Sequence, residues 1–143
     1  MELIFNIDFD GTCVTHDFPR VGKDIGAQRV LKKLVEKGHK LILFTMRSDR
    51  ARALPTKTPG IENVTGDFLT DAIGWFKANE IPLYGIQAHP TQKYWTTSPK
   101  SYANFMIDDS GIGCPLKFDA NLSDKNFVDW VLIEAILVKN KII

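Results

Sequence analysis

The chain has 143 residues, 44% hydrophobic and 24% charged, which suits one globular domain with a single core and excludes a disordered or low-complexity tract. Lys plus Arg number 18 and Asp plus Glu 17, a net charge of +1, so there is no strong nucleic-acid signal and no sign of a membrane-surface protein. Cys13 and Cys114 are too few for a disulfide framework, no run approaches the roughly 20 apolar residues of a membrane span, and no signal segment opens the chain, so a cytoplasmic protein with reduced thiols is expected.

The first element is a strand over 3–8, an apolar run that delivers Asp8 and, two residues on, Asp10 ahead of the Gly11 turn. Side chains at i and i+2 of a strand share a face, so the two carboxylates should project together. Like charges that close need a cation between them or a shared proton. Asp and Gly are also ordinary turn residues, which is the plainer reading of the same segment. After a turn-rich connection over 11–22, a helix is expected over 24–37, with Ile25, Val30, Leu31, Leu34 and Val35 on one face and Gly38 as its stop. A second strand, 40–45, ends on Thr45. The stretch 47–66 contains Pro55, Pro59, Gly60 and Gly66 and no sustained period, so it reads as a long irregular connection of the kind that is often functional or mobile.

A helix over 67–79 would turn Phe68, Leu69, Ala72, Ile73 and Phe76 inward, and a third strand follows over 81–86 after the Pro82 break. A second irregular stretch, 89–99, leads to a short strand at 104–107 that stops on Asp108-Asp109, and another short strand falls at 116–118. Ser123 or Asp124 would cap a final helix running through Val138. On it Phe127, Val128, Val131, Leu132, Ala135, Ile136 and Val138 form a wide apolar face suited to the core or to a second copy, which leaves room for a homo-oligomer through this helix.

Strand-like runs alternating with helical ones predict an α/β domain spanning 1–143, with a mostly parallel sheet covered by helices on both faces. In such a sheet ligands bind outside the carboxyl ends of the strands. Asp8, Asp10, Thr45, Asp108 and Asp109 all fall there, with Lys100 just before the strand at 104–107. Four carboxylates, a hydroxyl and an ammonium suit a hard divalent cation, Mg2+ first, and a phosphoryl group.

Arg47 could grip a second anionic group of a substrate through its forked head, or pair with Asp49 at the surface. Lys93 competes with Lys100 for the same place. His16, His39 and His89 share no metal-ligand spacing and read as surface or loop residues, and Trp75, Trp95 and Trp130 as packing groups. Nothing in the sequence lowers the pKa of Cys13.

Together these segments resemble the haloacid dehalogenase-like hydrolase superfamily. Asp8-Phe-Asp10-Gly-Thr12 looks like its first motif, Leu41-Ile-Leu-Phe-Thr45 like its second, Lys100 like its third and Ile107-Asp108-Asp109 like its fourth. The resemblance spans residues 1 to about 109, in the right order on the right elements. It implies a Rossmann-like three-layer α/β/α sandwich without a substantial cap domain, and a Mg2+-dependent phosphatase acting on a phosphomonoester.

In that scheme Asp8 is the nucleophile that forms an aspartyl-phosphate, and Asp10 is the general acid and base. Thr45 and the Met46 amide hold phosphate oxygens, Lys100 balances charge, and Arg47 assists binding. Asp8, Asp108 and the Asp10 backbone carbonyl hold the metal, with Asp109 direct or through water. A phosphorylated small molecule is the first choice of substrate and a macromolecular phosphate the second, because no cap covers the site. Arg47, Arg50, Arg52, Lys57, Lys93 and Lys100 would give its mouth a positive rim.

Two other classes compete: a catalytically silent phosphate-binding or scaffold protein of the same fold, and a receiver-like phosphoacceptor module. A receiver would carry a lone Asp on a middle strand, which the sequence lacks.

Overall fold

The computed structural model describes residues 1–49 and 65–143. Its central sheet has four parallel strands: β1 (Ile4–Ile7), β2 (Lys40–Leu43), β3 (Gly85–Ile86) and β4 (Phe105–Ile107), in the order β3-β2-β1-β4. Three helices complete the main body, α1 (Ala27–Glu36), α2 (Phe68–Ala78) and α3 (Trp130–Lys139). The class is α/β, as expected, and no cap domain is present among the described residues. β1 pairs with the edge strand β4, about 100 residues away in sequence, which brings the two acidic motifs side by side.

The core explains the element positions. Phe5, Ile7, Leu41 and Leu43 alternate along their strands and are buried with Val30, Leu31 and Leu34 of α1 and Ala72, Trp75 and Phe76 of α2. Asn6 points the other way. Its amide donates to the Ser101 carbonyl at 3.0 Å and its Oδ1 accepts the Ser101 hydroxyl at 2.8 Å, so the connection between β3 and β4 is fastened across that face of the sheet. α1 starts at Ala27 rather than near Asp24, because Gly26 takes a positive φ of 91° and Asp24 is drawn into a bridge with Val14 and a hydrogen bond from Trp75 Nε1 at 2.9 Å. It ends as predicted: Gly38, at φ 86°, returns its amide to the Val35 carbonyl while the His39 amide returns to Leu34.

Two expectations need correction. Only Gly85–Ile86 of the predicted 81–86 strand pairs with β2. Pro82 has no amide to give, and the Ile81 amide is turned back to the Phe76 carbonyl at 2.9 Å, closing α2 instead of opening a strand. The final helix also begins later than 123 or 124. Phe127 and Val128 form a two-residue strand, β6 (Phe127–Val128), antiparallel to β5 (Leu116–Lys117), and both side chains are fully buried. Asp129 is the true N-cap, its carboxylate accepting from the Val131 and Leu132 amides.

The face of α3 that packs inward is Trp130, Ile133 and Leu137, while Val131, Leu132, Ile136 and Val138 of the predicted apolar face are exposed, so of the two expected uses of that face the core takes only Phe127 and Val128 ahead of the helix. No helix among the described residues is long and apolar enough to cross a membrane.

Candidate active site

The pairing of β1 with β4 continues one step past β1, where the Asp8 amide donates to the Ile107 carbonyl at 3.0 Å. That bond places Asp8 against Asp108 and Asp109 at the carboxyl ends of two adjacent strands. One carboxylate oxygen from each of the three lies within 4.8 Å of the others. The Thr12 hydroxyl donates to Asp8 Oδ2 at 2.7 Å and accepts the Asp109 amide at 3.1 Å, so one side chain links both motifs. Asp108 Oδ1 accepts the amide and hydroxyl of Ser110 at 2.9 and 2.8 Å. His16 Nε2 stands 2.8 Å from Asp109 Oδ2.

Gly11 makes this convergence possible. At φ +78° a Cβ there would sit 2.0 Å from His16 Nε2 and 2.6 Å from Asp109 Oδ2.

Burial pushes the Asp8 carboxyl up to about 8, with the neighbouring charge of Asp108 and the Asp109 contact adding to the rise and the Thr12 hydroxyl opposing it. A cation among these oxygens would reverse that, since it favours the ionised form. The donor set fits Mg2+: hard carboxylate oxygens, partly exposed so that waters can remain in the shell. Neither thiol competes for the role. Cys13 is fully buried, donates to the Asp8 carbonyl at 3.3 Å, and is held well above the usual thiol range by burial and by the charges of Asp8 and Asp10.

Asp10 does not join the other three acids. After Phe9 the chain leaves the strand, with the Thr12 and Cys13 amides both folding back on the Phe9 carbonyl. The i, i+2 rule therefore no longer applies, and the Asp10 carboxylate turns to Arg47. Arg47 Nε and one Nη donate to its two oxygens, each at 2.8 Å.

Arg47 is only 3% exposed. Its remaining N–H groups reach the carbonyls of Arg20 at 2.7 Å, Phe68 at 3.3 Å and Pro19 at 3.5 Å. The Phe9 and Phe18 rings lie 5.0 and 5.3 Å from the guanidinium carbon. Both sequence-based roles for Arg47 are thus corrected: with five donors engaged inside the protein, none is left for a substrate anion, and its partner is Asp10 rather than Asp49. Asp49 instead accepts the Thr70 amide and hydroxyl near the start of α2.

Thr45 sits beyond the end of β2, next to a turn clamped by Gln87. The Gln87 amide group accepts the Thr45 amide at 2.9 Å and donates to the carbonyls of Thr45 at 2.6 Å and Arg47 at 3.2 Å. The Thr45 hydroxyl accepts the Arg47 amide at 3.1 Å, and the Met46 side chain is 98% exposed.

Lys100 is not brought to the acids. It is exposed, lines a surface pocket with Trp95, Ser98 and Tyr102, and makes no ion pair among the described residues. Lys93 lies over the Tyr94 ring at 5.0 Å and does not replace it. Arg50, Arg52 and Lys57 of the predicted rim, and most of the 47–66 connection, fall outside the described residues.

Three contributors escaped the sequence reading. His16 and Gln87 act through contacts 93 and about 40 residues away. The third is Trp130, whose indole N–H donates to the Thr12 carbonyl at 2.6 Å and pins the site loop from the start of α3. A local signal existed only for His16, the one histidine near the first acidic motif. Trp75 and Trp130 are buried packing groups as expected, whereas Trp95 is 59% exposed.

A solved structure described as a conserved protein coded by a locus from Bacteroides thetaiotaomicron resembles this chain with a TM-score of 0.70 and 27% identity, covering 99% of this chain and 93% of that one. Its description names no activity, so the likeness bears on the fold. No family model and no curated protein matches the chain.

Proposed function

We propose that the protein is a Mg2+-dependent phosphatase that hydrolyses a phosphomonoester through an aspartyl-phosphate on Asp8. The observation that carries this reading is the meeting of Asp8, Asp108 and Asp109 within 4.8 Å at the ends of two neighbouring parallel strands. These residues would hold Mg2+, which when bound supplies positive charge against the phosphoryl oxygens. An Asp8 oxygen attacks phosphorus as the bond to the leaving oxygen breaks, and Asp10 gives that oxygen a proton. Water then attacks phosphorus, its proton passes to Asp10, and the bond to Asp8 breaks. A carboxylate has about four lone-pair sites, and Arg47 occupies two of those on Asp10, which leaves two to carry and release a proton. Thr45 and the Met46 amide, on the turn that Gln87 clamps, would receive phosphoryl oxygens.

The position of Lys100 favours a second reading, a phosphate-binding protein of this fold without turnover. Hydrolysis of 4-nitrophenyl phosphate by wild type and Asp8→Asn, each with Mg2+ and with excess chelator, decides between them. Metal-dependent turnover that is lost in Asp8→Asn upholds the phosphatase. No turnover in folded wild-type protein that binds Mg2+ sinks it in favour of the silent form.

A further inference from the structure

We infer that Arg47 is the positioning residue of this site, fixing where Asp10 stands and joining it to the loop over 11–22 and to the start of α2. The inference rests on the phosphatase reading. A surface arginine that grips a carboxylate exchanges partners with water and substrate, whereas this one is 3% exposed and has every donor engaged. Its two parallel bonds to Asp10, both 2.8 Å, are the forked geometry that fixes a carboxylate in direction as well as in distance. The other three donors reach backbone carbonyls of three residues on two separate segments, Pro19 and Arg20 on one and Phe68 on the other. The Phe9 and Phe18 rings packed against the guanidinium add cation–π contacts that oppose its displacement.

The arrangement takes over a task that strand geometry leaves undone. Asp10 lies past the end of β1, in a turn where nothing regular aims its side chain at the site. Among the described residues the Arg47 fork is what fixes its direction, and lysine cannot copy a two-pronged grip. The chain thereby uses the third residue of its Thr45-Met46-Arg47 turn twice. On the phosphatase reading the backbone of the turn would receive the phosphoryl group, while the Arg47 side chain holds Asp10.

Two substrates that differ only in the leaving group test the idea: 4-nitrophenyl phosphate, whose phenolate departs readily, and phenyl phosphate, whose more basic oxygen needs a proton as it leaves. Arg47→Lys and Arg47→Met are compared with Asp10→Asn and wild type in Mg2+, each shown to be folded by circular dichroism. Proton transfer by a placed side chain contributes about 10²-fold or more. The expected result is that kcat/KM falls on the order of 100-fold for phenyl phosphate and less than about tenfold for 4-nitrophenyl phosphate in the Arg47 variants, matching the Asp10→Asn split.

Equal losses on both substrates, as from general loosening or from a lost substrate contact, overturn the inference, and so does a rise in KM at constant kcat. If Arg47→Met does not fold, the split in Arg47→Lys alone decides. Wild type inactive on both esters refutes the phosphatase reading and the inference with it. Active wild type with unsplit variants refutes only the inference.

Discussion

Asp8 is the residue whose chemistry the surroundings alter most, and the alteration has a sign. Its folded-state carboxyl is raised from 3.8 to about 8, so between those values the folded protein keeps a proton that the unfolded chain has released. Stability of the metal-free protein is therefore greatest below about pH 4 as far as this group is concerned, and is lost as pH rises towards 8, by at most about 1.4 kcal/mol per pH unit. Urea midpoints in chelator at pH 5 and pH 7.5 should fall with pH in wild type and stay level in Asp8→Asn. An equal fall in both would remove Asp8 as the source. Saturating Mg2+ should abolish the wild-type fall.

At this scale the sequence was informative about Asp8, Asp108 and Asp109, because a strand's end fixes where its last side chains go. It was misleading about Asp10 and Arg47. Their directions are set by the turn after Phe9, which the Gly11 signal marked without saying where it aims Asp10, and by carbonyls at Pro19, Arg20 and Phe68, which no short-range pattern encodes.

Among the elements, α1 was readable almost residue by residue because its apolar positions recur on one face and a glycine closes it. α3 was not. It is apolar nearly all round, so its period could not say which side packs, and the sequence reading left its apolar face open to the core or to a second copy. What selects the inner face is anchorage at its start. Trp130 reaches the site loop and Asp129 satisfies two of the free amides of the first turn at 3.1 Å each.

Asp129→Ala should cost about 1 kcal/mol. For a chain of this size that is a fall in Tm of roughly 4 °C, measurable by calorimetry. Loss of less than about 1 °C would show that packing alone defines the helix start. The short β5-β6 pair was half read, since the 116–118 run was expected but its partner was absorbed into the predicted helix. Two-residue strands carry too little alternation to separate from a helical turn.

Across the whole molecule, the order β3-β2-β1-β4 is what turns two distant acidic motifs into one site; alternation of strands and helices was enough to expect a parallel sheet with its acids along one edge, but not this order. The sequence did not reveal how much of the support arrives from the C-terminal part of the chain. The Val128 amide donates to the Gly11 carbonyl at 3.0 Å and Trp130 to Thr12, while His39 joins the Leu3 amide to the Ile142 carbonyl. The last quarter of the chain thus braces the loop that carries the first motif.

The Trp130 bond also gives the protein a built-in optical gauge. Its indole N–H touches the carbonyl of Thr12, whose hydroxyl holds Asp8, so a cation drawing the carboxylates together would shift the emission of this buried fluorophore. A saturable change in tryptophan fluorescence with Mg2+, absent in Trp130→Phe and in Asp8→Asn, would report occupancy without any substrate. Exposed Trp95 would contribute a constant red-shifted background. An unchanged response in Trp130→Phe would assign the signal elsewhere.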